Sequence, residues 1–133
     1  MLGVDTNILV RFLADDDPVQ TPLAIRLVGQ EANHPYYVGL VVMAETYTVL
    51  TRVKKFPADR VISALRMVLR SDVFVVEDAD IVREGLEDCE RLGCGLADAI
   101  IARSHVARGC RATATFDIRA QRLDAMIAVE DCL

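Results

Sequence analysis

No apolar run in this chain is long enough to cross a bilayer: the longest, YYVGLVVMA from Tyr36 to Ala44, is about half of the roughly 18 to 20 residues a membrane helix needs. The basic stretch of a secretory signal is also missing, and Asp5 interrupts the short apolar segment at the start. Both absences lead us to expect a cytoplasmic protein with no membrane partner. Cysteine motifs are lacking as well. Cys89, Cys94, Cys110 and Cys132 form no C-x-x-C pair, and the two histidines, His34 and His105, stand far apart, so the sequence writes no zinc site. In a reducing compartment the thiols are expected to be free and mostly buried. No repeat, low-complexity tract or linker interrupts the chain. Its 133 residues, 53% hydrophobic and 26% charged, suit one domain, 1–133, with a substantial core.

The net charge of −5 argues against a general nucleic-acid coat protein. It is compatible with an enzyme that meets nucleic acid locally, because acids that bind a metal add negative charge of their own. Basic residues cluster at Arg52, Lys54, Lys55 and Arg60, at Arg66 and Arg70, and from Arg103 to Arg122. Solvated helix faces account for such runs at least as often as phosphate contacts do. Arg11, Arg52 and Lys54 are the candidates for phosphate contact.

Short β-branched runs alternate with longer helical patterns. Strands are predicted at Leu2–Val4, Tyr36–Gly39, Phe74–Val76, Ala112–Thr115 and Met126–Val129. Between them the spacing predicts helices at 6–13, 42–55, 78–92 and 96–108, a helix that Pro57 opens and that runs to Arg70, and a short one at 118–123. A further helix is expected to run to Glu31, with Asp17 as its N-cap and Pro18 as its first residue. This alternation points to an α/β fold, a parallel sheet with helices on both faces. In and between the apolar stretches Val42–Leu50 and Ile62–Leu69, residues such as Met43, Tyr47, Phe56, Leu65 and Leu69 are expected to face the core or line a groove for a partner helix.

In such a fold the carboxyl ends of strands and the N-termini of helices share one edge, where open α/β sheets bind ligands. Asp5 follows the first strand and Asp117 follows ATAT. Glu45 is expected in the first turn of the helix after YYVG, and Asp98 in the first turn of the helix before ATAT. Each acid has a structural reading, because carboxylates cap helix N-termini. Asp117 reads as a cap and Asp5 as either cap or ligand. Asp98 is harder to explain so: it is the only polar residue in LADAIIA, a segment that looks buried. Glu45 likewise follows Val41, Val42, Met43 and Ala44. Glu77, Asp78 and Asp80 read as caps of the helix that follows them.

Two unit charges about 4 Å apart repel by roughly 4 kcal/mol at an effective dielectric of about 20. No lysine or arginine adjoins Asp5, Glu45 or Asp98 in sequence to offset this. A divalent cation would, and an all-oxygen donor set suits Mg²⁺ or Mn²⁺ rather than zinc. Such a site can activate water for in-line attack on a phosphodiester.

The assembled motifs, VDTNILVRFL, MAETYTVL, GLADAIIA and ATFDIRAQRL, resemble in this order those of the PIN-domain ribonucleases, in particular the VapC-type toxins of toxin–antitoxin pairs. The resemblance covers nearly the whole chain. It implies a three-layer α/β/α sandwich around a central parallel sheet and a Mg²⁺- or Mn²⁺-dependent endoribonuclease. It also implies a homodimer that acts on RNA and is inhibited by a small cognate antitoxin. Position by position, the acidic site would be Asp5, Glu45, Asp98 and Asp117, with Asp5 and Asp98 the most direct metal ligands and Thr6, Asn7 and Thr115 supporting them. Ile118, Arg119 and Ala120 stand where some members carry a further acid, so one ion and two are both compatible.

Three other functions share part of this pattern. A housekeeping PIN nuclease of RNA processing shares every motif. Aspartate-based phosphotransfer uses a similar sheet, but the first strand ends D-T-N and not D-x-D, and the only lysines are Lys54 and Lys55. A non-catalytic binding module would have no need of all four acids.

Overall fold

Parallel pairing organises the strands of the computed structural model, which describes residues 1–133 as two units, Met1–Ala79 and Asp80–Leu133. The first contains α1 (Thr6–Ala14), α2 (Gln20–Val28), β1 (Tyr36–Val38), α3 (Leu40–Thr48), α4 (Ala58–Arg70) and β2 (Phe74–Val76). β1 and β2 are parallel, with Tyr36 opposite Phe74 and Val38 opposite Val76, and α3 and α4 form the crossover that parallel strands require. The strand expected at Leu2–Val4 shrinks to a single bridge between Gly3 and Tyr37. Two ladder bonds, from the Tyr37 amide to the Leu2 carbonyl at 2.9 Å and from the Val4 amide to the Tyr37 carbonyl at 3.0 Å, still align it parallel to β1. Its extent is limited because Asp5 already caps α1.

The core of this unit follows from helical periodicity. Val61, Ile62, Leu65 and Val68 form the buried stripe of α4, and each such side chain removed from water contributes about 1.5–3 kcal/mol. Phe12 meets Phe74 edge-on with ring centroids 6.1 Å apart, and Tyr36 lies beside Phe74 at 6.5 Å. Met43, Tyr47 and Leu65 belong to the core, whereas Phe56 and Leu69 are half-buried. Two helices differ from expectation. α2 runs from Gln20 to Val28, starting later than Pro18 and stopping short of Glu31, although Asp17 still caps this end by accepting from the amides of Val19 and Gln20 at 2.9 and 2.7 Å. The helix after β1 starts at Leu40 and widens into a π-helical turn at Val49–Val53, which ends where Lys55 takes a left-handed φ of 62°.

α5 (Ala79–Leu92) leads into the second unit, which continues with α6 (Leu96–Ala107), β3 (Thr113–Thr115) and β4 (Met126–Ala128). β3 and β4 are also parallel, Thr113 opposite Met126 and Thr115 opposite Ala128. The short helix expected at 118–123 is a 3₁₀ turn at Ala120–Arg122. α5 and α6 approach closely at Gly85, where a Cβ would stand 3.1 Å from Leu96 Cδ1. The same two helices are joined by Arg103, whose Nε and Nη2 each reach the Asp88 carboxylate at 2.8 Å. Asp88 is only 3% exposed, and the guanidinium fork satisfies both of its oxygens. None of the four cysteines forms a disulfide; Cys89 and Cys94 are buried but Cys110 and Cys132 are exposed, so burial holds for two rather than most.

Helices alternating with parallel strands are the α/β class expected from the sequence. No helix is long and apolar enough to cross a membrane.

Candidate active site

In the first unit the parallel alignment of the Leu2–Val4 segment, β1 and β2 brings their carboxyl ends to one edge. Asp5 leaves that edge as the N-cap of α1, its Oδ1 accepting from the Thr6 amide at 2.7 Å. Its structural and functional readings therefore coexist. Glu45 is exposed on α3 and, because the helix begins at Leu40, sits past the first turn rather than in it. The buried Thr6 joins the two acids' segments: its hydroxyl donates to Glu45 Oε2 at 2.9 Å. Neither Asp5 Oδ2 nor Glu45 Oε1 has a hydrogen bond within the unit. Asn7 is exposed and lines the cleft between α1 and α2, with no bond to either acid.

Glu77 departs from its expected role. Its carboxylate accepts from the Leu40 amide at 2.7 Å and so caps α3, not the helix that follows it in sequence. The cause is the parallel pairing, which sets the end of β2 beside the end of β1, where α3 begins. Asp80 pairs with Arg83 at 2.6 Å on its own helix, and Asp78 turns the chain with a φ of 46°. Two of the candidate phosphate contacts are already engaged, because Arg11 and Lys54 both pair with Asp16, Arg11 at 3.0 Å. Arg52 is exposed.

In the second unit Asp98 is the third residue of α6, behind the N-cap Gly95. Leu96, Ala99, Ile100 and Ala102 around it are buried, but Asp98 itself is half-buried and Ile101 is exposed. The apolar helix therefore presents the acid at its rim and does not enclose it. Asp98 Oδ2 lies 4.0 Å from where a Cβ on Gly95 would stand, an ordinary contact distance. Asp117 is the cap that its position suggests: Oδ1 accepts from the amides of Arg119 and Ala120 at 2.8 and 3.1 Å. Thr115 supports this turn by accepting the Asp117 amide on Oγ1 at 3.0 Å. Asp117 is exposed and its Oδ2 has no hydrogen bond within the unit.

Neither unit by itself gathers three His, Cys, Asp or Glu side chains into a metal-holding group. Each supplies two of the four expected acids, and the donors are carboxylate oxygens, which suit Mg²⁺ or Mn²⁺. Asp5, Glu45 and Asp117 share one design: one oxygen is held by the scaffold and the other is left for a further partner. Two residues with structural roles, Asp88 and Arg119, have none expected from the sequence pattern, and Glu77 caps a different helix from the one expected. For Asp88 a signal existed, since it lies among the buried Val82, Gly85, Leu86 and Cys89 of α5.

Residues 3–126 match the PIN domain family. Comparison with curated proteins gives no match.

Proposed function

Because the chain belongs to the PIN domain family, a nuclease-type fold whose members are generally magnesium-dependent, we propose that it is a Mg²⁺- or Mn²⁺-dependent endoribonuclease and the toxin of a toxin–antitoxin pair. Asp5, Glu45, Asp98 and Asp117 would hold the metal. When bound, the ion supplies Lewis acidity that activates a water and stabilises the leaving oxygen of an in-line phosphodiester displacement.

The chain's own residues orient the carboxylates and lower the cost of bringing them together. Asp5 at the N-cap of α1 and Asp98 in the first turn of α6 stand at the positive ends of helix dipoles, which would partly offset the repulsion of acids gathered on a metal. Thr6 fixes the Glu45 carboxylate, and the turn amides fix Asp117. The observation that most supports the reading is this half-engaged state: three carboxylates are each oriented through one oxygen while the other stays open. The proposed substrate form is single-stranded RNA in loops, whose splayed backbone can approach an open edge. The proposed partners are a second copy of the chain and a small antitoxin, and the proposed compartment is the cytoplasm.

The purified protein should cut RNA with Mg²⁺ or Mn²⁺ and stop with EDTA. Cleavage undiminished in Asp98→Asn would refute the site. Growth arrest on expression, relieved by a small protein encoded beside it, tests the toxin role; expression without arrest points to the housekeeping nuclease.

A further inference from the structure

Asp98 and Asp117 are carried by different elements of the second unit, and Arg119 ties those elements together. Its backbone amide donates to Asp117 Oδ1 at 2.8 Å, while its guanidinium donates from Nε and Nη2 to the carbonyl of Gly93 at 2.9 and 2.6 Å. Gly93 ends α5 in a left-handed conformation, φ 69°, with its amide on the Cys89 carbonyl at 2.9 Å. Two residues later Gly95 caps α6, and Asp98 lies in the first turn. One residue therefore touches the Asp117 carboxylate through its main chain and, through its side chain, the junction that sets where Asp98 begins its helix. At the far end of α6, His105 Nδ1 and Thr113 Oγ1 stand 2.8 Å apart, joining the helix's last turn to the start of β3. With both ends tied, α6 cannot slide along β3 without breaking one of these bonds.

We propose that Arg119 is a positioning residue of the metal site, setting the separation between Asp98 and Asp117. The inference rests on the four-carboxylate reading above. Arg119 does not act as a ligand, since a guanidinium offers only donors. Its exposed bond to Gly93 competes with water, so its contribution lies in geometry more than in folding. Arg122 supplies an internal control. Its Nη1 approaches the Leu92 carbonyl at 3.4 Å, on the same helix end, but its amide donates to the Arg119 carbonyl and not to the Asp117 carboxylate.

The test is Mn²⁺ titration by calorimetry on the full chain, well below its melting temperature, for wild type, Asp98→Asn, Arg119→Ala, Arg119→Lys and Arg122→Ala, with thermal melts in EDTA alongside. Arg119→Ala should bind Mn²⁺ about tenfold more weakly or worse. Arg119→Lys should recover part of this, because an ammonium can still reach one carbonyl. Arg122→Ala should bind like wild type while melting no higher than Arg119→Ala. Wild-type affinity in Arg119→Ala, with binding lost in Asp98→Asn, overturns the role of Arg119 and leaves the site reading intact. Equal losses in the two arginine variants make Arg119 merely structural and also overturn it. A wild-type protein that takes up no Mn²⁺ refutes the site reading itself, and the positioning role falls with it.

Discussion

Thr6 and Glu45 lie 39 positions apart in sequence, yet the hydroxyl of the first residue of α1 donates to the carboxylate of Glu45 on α3 at 2.9 Å. The bond has a dual character, since Thr6 is buried while Glu45 is exposed. Thr6→Val keeps the side-chain shape and removes the donor. Glu45 can turn to water, so folding should weaken by only about 1 kcal/mol. Metal affinity should fall about tenfold as the carboxylate loses its orientation. Thr6→Ser should restore both. Urea unfolding and Mn²⁺ calorimetry measure the two effects separately, and a Thr6→Val protein with wild-type affinity would confine the bond to folding.

Asp5 and Asp117 each combine a cap with a proposed ligand, and asparagine separates the two roles. Asn caps a helix about as well as Asp, so Asp5→Asn and Asp117→Asn should unfold within about 0.5 kcal/mol of wild type while losing metal-dependent cleavage. Asp5→Ala should cost about 1 kcal/mol more, from the missing cap. Thermal melts in EDTA, set beside RNA cleavage in Mg²⁺, check this. A large loss of stability in Asp5→Asn would indicate that its charge, and not its cap, supports the fold.

The Asp88–Arg103 pair is asymmetric in exposure, and its variants should be too. Asp88 is buried, whereas the Arg103 side chain keeps 39% of its surface and also reaches Glu84 at 3.4 Å. The hydrogen bond to Asp88 pushes the Arg103 pKa above its ordinary value. Arg103→Ala leaves the buried Asp88 only the longer contact from Arg91 Nη2 at 3.4 Å and should destabilise by about 3 kcal/mol. Asp88→Ala should cost less, because the freed guanidinium can hydrate. Guanidinium chloride unfolding of both variants decides; equal losses would contradict the asymmetry.

Acid should weaken the first unit through two neighbouring carboxylates. The amides of Gln20 and then Val19 hold Asp17 below the usual aspartate range, and Lys54, followed by Arg11, does the same for Asp16. A pKa lowered in the folded state means that the unfolded chain binds protons first. The stabilisation is therefore complete above the ordinary aspartate value and is lost as pH falls below about 4 toward the lower folded value. Asp17→Asn should keep the cap and flatten this acid limb. Salt should reduce the Asp16 share more than the Asp17 share, because Asp16 is held chiefly by its ion-pair partners and Asp17 chiefly by backbone amides. Urea midpoints from pH 3 to 6, at low and high salt, measure both.

Local features were legible in the sequence because they depend on residues within a turn or two. Asp17 caps through amides two and three residues ahead, Asp117 closes its turn in the same way, and the apolar spacing of α4 marks its buried stripe. The motif order also carried the family, since residues 3–126 match it. Less legible were the limits of each element. Leu2–Val4 has strand character but only a bridge's worth of partners, and the helix after β1 starts earlier than its apolar pattern suggests, which moves Glu45 out of the first turn.

By itself, then, the sequence determined the α/β alternation, the caps at Asp5, Asp17 and Asp117 and which acids are candidates for the site, all of which arise from short-range periodicity and side-chain chemistry. Tertiary structure decided which partner each acid meets. Parallel pairing sends Glu77 to α3, and the packing of α1 against α3 gives Glu45 to Thr6. The left-handed end of α5 receives Arg119, and the rim of α6 leaves Asp98 half-buried. Those partners lie tens of residues away in the chain, so no local propensity encodes them; they exist only once strands have chosen their neighbours and helices their contact faces.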